Sequence, residues 1–140
     1  MVFYKNNFLE FDYQKPILII TIKNFKTTDK ELQQTEMVLK KFYNMKDNGE
    51  PAKFSFIFVI EKIGLFSVPV VNKIANIFNG TREQAQKQLY GSAVVIQSDI
   101  KKLVNRFLRM FNNDRPVTFV DNIQEARQAV QVYIQNGIQK

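Results

Sequence analysis

Serines, carboxylates and lysines are the residues that could carry chemistry in this chain, because its 140 residues include no cysteine and no histidine. The lack of cysteine excludes disulfides, thiolate nucleophiles and cysteine-ligated metals. The lack of histidine removes the side chain most used for proton transfer near neutral pH, and with it any Ser-His-Asp triad. We therefore expect a protein that is not an enzyme and that binds no cofactor or metal.

One group of candidate site residues follows the most apolar segment of the chain, residues 54–60. Glu61 and Lys62 come directly after it, where open α/β sheets place ligands beyond the carboxyl ends of their strands. Ser67 suits the N-cap of a helix that continues through Val68. No glycine-rich phosphate loop is present, which excludes Rossmann and P-loop sites. We interpret this group as a surface for contact with a protein, with a shallow small-molecule crevice as the alternative.

A second candidate is a basic helix face, predicted within residues 99–112. Apolar residues recur there at three- and four-residue spacing, and the opposite face carries four cations. Such a face could contact phosphates or anionic lipid headgroups, or could be an ordinary solvated surface. No aromatic residues alternate with the cations, as base stacking would require, so nucleic acid is the least favoured partner. The four cations are Lys101, Lys102, Arg106 and Arg109.

Hydrophobic periodicity and turn residues predict the elements that would position these sites. Thr28 and Glu31 have the spacing of a capping box, which marks the start of the first helix. The turn residues at 14–16 separate two segments that read as a hairpin. The predicted strands are residues 7–13, 17–23, 54–60, 92–97 and 117–120. The predicted helices are residues 29–45, 67–79 with a short continuation from Thr81 to Leu89, 99–112 with Ser98 as cap, and 121–136 with Asp121 as cap.

The order of these elements, ββαβαβαβα, predicts the fold. Connections between parallel strands are right-handed crossovers, so a strand–helix series of this kind forms a mostly parallel sheet with helices packed on it. We expect an α/β fold with a single sheet of about five strands, an opening antiparallel hairpin and about four helices. The length suits one domain spanning residues 1–140.

This order resembles the STAS domain of sulfate transporters and anti-sigma factor antagonists. The chain is more similar to the small bacterial STAS-like proteins that are grouped with CRAL-TRIO lipid-binding domains. The segments that carry the resemblance are FVIEKIGLFSVPVV (58–71), YGSAVVIQSDIKKLVNRFLRMF (90–111) and RPVTFVDNIQEARQAV (115–130).

The resemblance implies a regulatory module that acts by protein–protein contact around the helix starting at Ser67. In the anti-sigma antagonists a serine at this place is phosphorylated, although their Asp-Ser-Ser-Gly pattern is here Phe66-Ser67-Val68-Pro69. The alternative that it implies is binding of a lipid or another apolar ligand. We expect a protein partner and keep a homodimer and an anionic surface as alternatives. We also expect residence in the cytoplasm, because no secretion signal or membrane span is recognisable.

Overall fold

A computed structural model of the chain describes residues 1–24, 26–60, 68–96 and 115–138. The strands are β1 (Val2–Lys5), β2 (Leu9–Gln14), β3 (Ile17–Ile22), β4 (Lys46–Asp47), β5 (Glu50–Pro51), β6 (Phe54–Ile60), β7 (Leu89–Val95) and β8 (Val117–Val120). The helices in these ranges are α1 (Asp29–Tyr43), α2 (Val68–Asn79), α3 (Arg82–Gln88) and α4 (Ile123–Asn136). Within the described ranges, no helix combines the length and the apolarity needed to cross a membrane.

The main sheet has six strands in the order β1-β2-β3-β6-β7-β8. The strands β1, β2 and β3 pair antiparallel, whereas β3, β6, β7 and β8 pair parallel. The predicted α/β fold, with a mostly parallel sheet after an antiparallel hairpin, is therefore confirmed. The sheet has one strand more than predicted because β1 adds to its edge, next to β2. A separate two-stranded ribbon, β4 with β5, follows α1.

Each face of the sheet packs against its own helices. Leu18 and Ile20 of β3 point to the larger cluster, which includes buried residues of α1, α2 and α3. Ile17 and Ile19 point to a smaller cluster with Ala126 of α4. Strand β3 is thus apolar on both faces because both faces are covered, as its unbroken apolar run predicts.

Several predicted boundaries are confirmed. Thr28 and Glu31 form the capping box: the Glu31 N–H donates to Thr28 Oγ1 at 3.1 Å, and the Thr28 N–H donates to Glu31 Oε1 at 3.2 Å. The hairpin turn falls between Gln14 and Ile17, and α2 begins at Val68. Gly137 ends α4 with a φ of 71°, a conformation that glycine adopts without strain.

Three predictions at element ends were wrong. The cap of α4 is Asn122, whose Oδ1 accepts from the Glu125 N–H at 2.9 Å, and not Asp121. Thr81 precedes α3, but its hydroxyl donates to the Phe78 carbonyl at 3.0 Å instead of capping that helix. The short helix α3 ends at Gln88 and does not include Leu89. Leu89 is instead the first residue of β7, where it is fully buried. The predicted helix at 99–112 lies outside the described residues.

Candidate functional site

The candidate site residues chosen from the sequence lie almost wholly outside the described residues. This holds for Ser67, Glu61 and Lys62, and for the basic face of Lys101, Lys102, Arg106 and Arg109. Val68 is the first residue of α2. The roles assigned to these residues therefore stay predictions.

A different surface stands out among the described residues, at the β1 edge of the sheet. Six large apolar side chains are exposed in the described ranges, and four of them lie at residues 1–3, which lead into β1 and begin it, or on α1 beside it. Phe3 is 45% exposed and Met37 is 60% exposed. Single exposed apolar residues are common on monomeric proteins, but a contiguous group marks a place where another molecule binds. Met1, Phe3 and Met37 line hollows on the α1 side, whereas Val2 lies on the opposite face of the sheet.

A β-bulge in β1 produces this grouping. Val2 pairs with Asp12 and Tyr4 pairs with Phe11, so Phe3 is an extra residue between two regular pairs. The extra residue places both Phe3 and Tyr4 on the α1 side of the sheet, where their rings lie 5.9 Å and 5.8 Å from that of Phe11. Regular alternation would have turned one of the two rings to the other face.

The first hollow on this surface, here called the edge hollow, has a volume of about 330 Å³. The Phe3 ring stacks on the Phe42 ring at 5.9 Å, with 8° between the two planes. The Tyr13 ring meets Phe42 edge-on at 5.1 Å. The hollow is open to solvent, because Met1 on its rim is 83% exposed. Its lining is almost entirely apolar: Met1, Phe3, Tyr13, Phe42 and Met45.

The second hollow, here called the helix hollow, has a volume of about 270 Å³ and lies between β1 and α1. Asn6 positions Tyr4 at its border, because Asn6 Nδ2 donates to the Tyr4 hydroxyl at 3.0 Å and to Thr35 Oγ1 of α1 at 3.3 Å. The lining is Tyr4, Gln34, Met37, Val38 and Lys41. We call the two hollows together the edge surface.

Charged groups of both signs lie around the edge surface. The ammonium group of Met1 donates to Asp12 Oδ1 at 2.7 Å, and this contact lowers the pKa of Asp12. Lys5 on β1 and Lys41 on α1 are exposed, and neither forms an ion pair with a carboxylate of the described residues. Lys5 lies opposite Glu10 in the register of β1 with β2, whereas Lys41 lines the helix hollow and places an unpaired cation beside the apolar surface.

A third hollow, of about 350 Å³, lies between α1 and α2 and has a different character. Lys73 Nζ pairs with Asp29 Oδ1 across it at 2.9 Å, so its charged groups already satisfy each other. Glu36, also in its lining, pairs with Lys40 at 3.0 Å. We find no group of three or more potential metal ligands anywhere in the described part of the chain. The edge surface is therefore the better candidate site.

Sequence reasoning missed the edge surface, although a signal was present. The run Val2-Phe3-Tyr4 is apolar, aromatic and β-branched, as expected of a strand. The run does not alternate between apolar and polar residues as a half-buried strand does. The bulge accommodates this, since it places the consecutive residues Phe3 and Tyr4 on one face.

Comparison with protein-family models, with curated proteins and with solved structures finds no significant match to this chain.

Proposed function

We propose that this protein is a non-enzymatic interaction module that works by contact with another protein, and that the edge surface makes this contact. The observation that carries the proposal is the exposure of Met1, Phe3 and Met37 in two hollows beside β1 and α1. Aromatic residues and methionine are enriched in protein interfaces, and a contiguous apolar patch is costly to leave in water.

Sequence composition and electrostatics support a role other than catalysis. The chain has no histidine or cysteine. Within the described ranges, pKa shifts are found for one carboxyl and two phenols: the pKa of Asp12 is lowered, and those of Tyr13 and Tyr43 are raised. All three shifts move the group away from neutral pH, whereas a general acid or base works best near it.

The STAS-like resemblance remains part of the proposal, and so does a partner contact around Ser67. The order of strands and helices is compatible with that family, which uses its surface to bind partners. Residence in the cytoplasm and contact of the basic face with an anionic surface also stay predictions.

Binding of an apolar small molecule is the second candidate, and the edge hollow favours it. Ligand pockets have volumes of roughly 300–1,000 Å³ and enclose most of the ligand. The edge hollow reaches the lower end of that range, at about 330 Å³. It is open along the side of Met1 and Phe3, so a lipid chain there would stay largely in water. For this reason we place it after protein contact.

Site-specific photo-crosslinking in the source cells tests the proposal. The photoreactive amino acid p-benzoylphenylalanine is placed at position 37, in the helix hollow, and in a control at position 132, which is an exposed valine on α4. The two native side chains are similarly exposed, at 60% and 52%.

We expect a discrete protein adduct, identified by mass spectrometry, from position 37 and not from position 132. Adducts only with lipid at position 37 would favour the second candidate. No adduct, or the same adducts from both positions, would contradict the proposal.

A further inference from the structure

The outer edge of β1 has backbone groups available for pairing with another strand. Among the described residues, β1 is the terminal strand of the sheet. The Asn6 N–H donates to the Leu9 carbonyl, and the Tyr13 N–H donates to the Met1 carbonyl. Antiparallel pairs alternate between bonded and non-bonded positions, and the bulge resets the alternation between Val2 and Tyr4. The N–H and C=O groups of Val2 and Lys5 therefore point away from β2.

The side chains of an added strand would meet two different environments. Alternate residues of a strand lie on the same face, about 6.5–7 Å apart. On the α1 side they would meet the edge hollow and the helix hollow, both bordered by β1. On the other side they would lie beside Val2 and Lys5, with Glu10 and Asp12 on the next strand. A segment with apolar residues at every second position and polar residues between them fits both faces.

Charge indicates what should flank such a segment. Lys41, in the lining of the helix hollow, forms no ion pair with a carboxylate of the described residues, and the whole chain has a net charge of +7. Acidic residues at the ends of the added segment would supply counter-ions. A second copy of this chain would instead bring another Lys5 and Lys41 to the same edge, which disfavours pairing between two copies.

A bulge and a lysine are also devices that protect a free edge from pairing. Protection alone would not place an exposed phenylalanine and an exposed methionine beside that edge, because these residues favour association. The combination of open backbone groups, apolar hollows and an unpaired lysine is typical of strand addition, in which the backbone gives affinity and the hollows give specificity.

We infer that the edge surface binds an extended segment of the partner protein, with alternating apolar residues and acidic flanks, which adds to the sheet as a strand beside β1. This inference rests on the proposed function and specifies its partner.

Synthetic peptides test the inference with the full-length protein. The probe is a fluorescein-labelled pool, Asp-Glu-x-Thr-x-Thr-x-Asp-Glu, in which x is Val, Ile, Leu, Phe or Met. A control pool has lysine in place of each acidic residue. We expect binding of the acidic pool, measured by fluorescence anisotropy, with a Kd below about 1 mM and at least about tenfold tighter than that of the control pool.

The best-binding peptide then tests whether it pairs with β1 as a strand. An added strand uses every second amide for pairing, so N-methylation of one alternate set of its amides should abolish binding, and methylation of the other set should be tolerated. On the protein, amide hydrogen exchange at Val2 and Lys5 should slow on binding, whereas Tyr4, whose amide already points to β2, should change little.

Lys41→Glu should weaken binding of the acidic peptide by about tenfold or more and should improve binding of the lysine-flanked peptide. Lys87→Glu on α3 makes the same change in net charge away from the edge surface and should leave both affinities unchanged.

Failure to bind any pool member, or equal loss of binding for both methylated sets, would overturn strand addition. Protection of the Val2 and Lys5 amides in the free protein, rising with protein concentration, would overturn it in favour of pairing between two copies. A protein adduct from position 37 together with any of these results would support contact with a protein at the edge surface but not strand addition. Absence of both the adduct and peptide binding would remove both proposals.

Discussion

Gln88 shows how one side chain stabilises the junction between α1 and the sheet. It is buried, and its Nε2 donates to the Tyr43 carbonyl at 2.9 Å and to the Ala52 carbonyl at 3.0 Å. Gln88→Met would keep most of the volume but leave two buried acceptors without this donor. We expect a loss of about 1–3 kcal/mol in the free energy of unfolding. Chemical denaturation measures it, with Gln84→Met, at an exposed position of the same helix, as the control expected to change little.

The phenol of Tyr43 should make the fold sensitive to alkaline pH. Burial raises the pKa of Tyr43 well above its ordinary value, and a hydrogen bond with Thr81 lowers it by less. At a pH between the ordinary pKa of tyrosine and the raised pKa of the folded state, the unfolded chain releases the phenol proton while the folded chain keeps it. The stabilising effect is therefore complete below about pH 10 and is lost as pH rises above that value.

Denaturant titrations at a series of pH values, comparing wild type with Tyr43→Phe, test this effect. We expect the wild type to lose stability relative to Tyr43→Phe above about pH 10. All other ionisable groups are the same in the two proteins, so their contributions cancel in the difference. A difference that does not vary with pH would contradict the assignment.

At the scale of elements, α4 depends on a close contact with β7 at Gly91. A Cβ at this position would lie 2.5 Å from Cδ2 of the Tyr133 ring and 3.1 Å from the Pro116 carbonyl oxygen. The Tyr133 hydroxyl also hydrogen-bonds Thr118 of β8, which holds the ring in place. We expect Gly91→Ala to destabilise the fold by about 1–3 kcal/mol, measured by thermal or chemical unfolding.

A double-mutant cycle separates this contact from an effect on the strand alone. Tyr133→Leu removes the ring, so Gly91→Ala should cost less in that background than in the wild type. Equal costs in the two backgrounds would show that the ring contact is not responsible.

The sequence predicted most elements because their signals are local. The apolar runs of β3 and β6, the capping box at Thr28 and the glycine at 137 each depend on a few neighbouring residues. The prediction of Asp121 as the cap of α4 was wrong because local signals do not separate two adjacent residues, Asp121 and Asn122, that are both good caps.

The candidate site could not be predicted in the same way, because it is assembled from distant segments. Phe3 and Phe42 are far apart in the sequence, and their rings meet because β1 pairs with β2 and α1 packs on the sheet. The bulge that turns Phe3 and Tyr4 to one face breaks the period of two by which a strand is recognised.

At the scale of the whole molecule, the two ends of the main sheet differ in a way that bears on function. β8 at one end is covered by α4, whereas β1 at the other end borders two open hollows and exposed apolar side chains. Met37 is 60% exposed, so a change at this position should affect binding and leave folding largely intact.

Matched substitutions separate these two properties. Met37→Glu in the helix hollow and Val132→Glu on α4 each put a carboxylate at an exposed position. We expect both to change the free energy of unfolding by less than about 0.5 kcal/mol, whereas Leu39→Ala in the buried core of α1 should cost about 2–5 kcal/mol. Only Met37→Glu should weaken binding of the cross-linked partner, by about tenfold or more, because it repels acidic flanks and places a charge in an apolar hollow. Equal affinities for the two exposed variants would remove the edge surface from the interface, and a large loss of stability in Met37→Glu would show that Met37 belongs to the core.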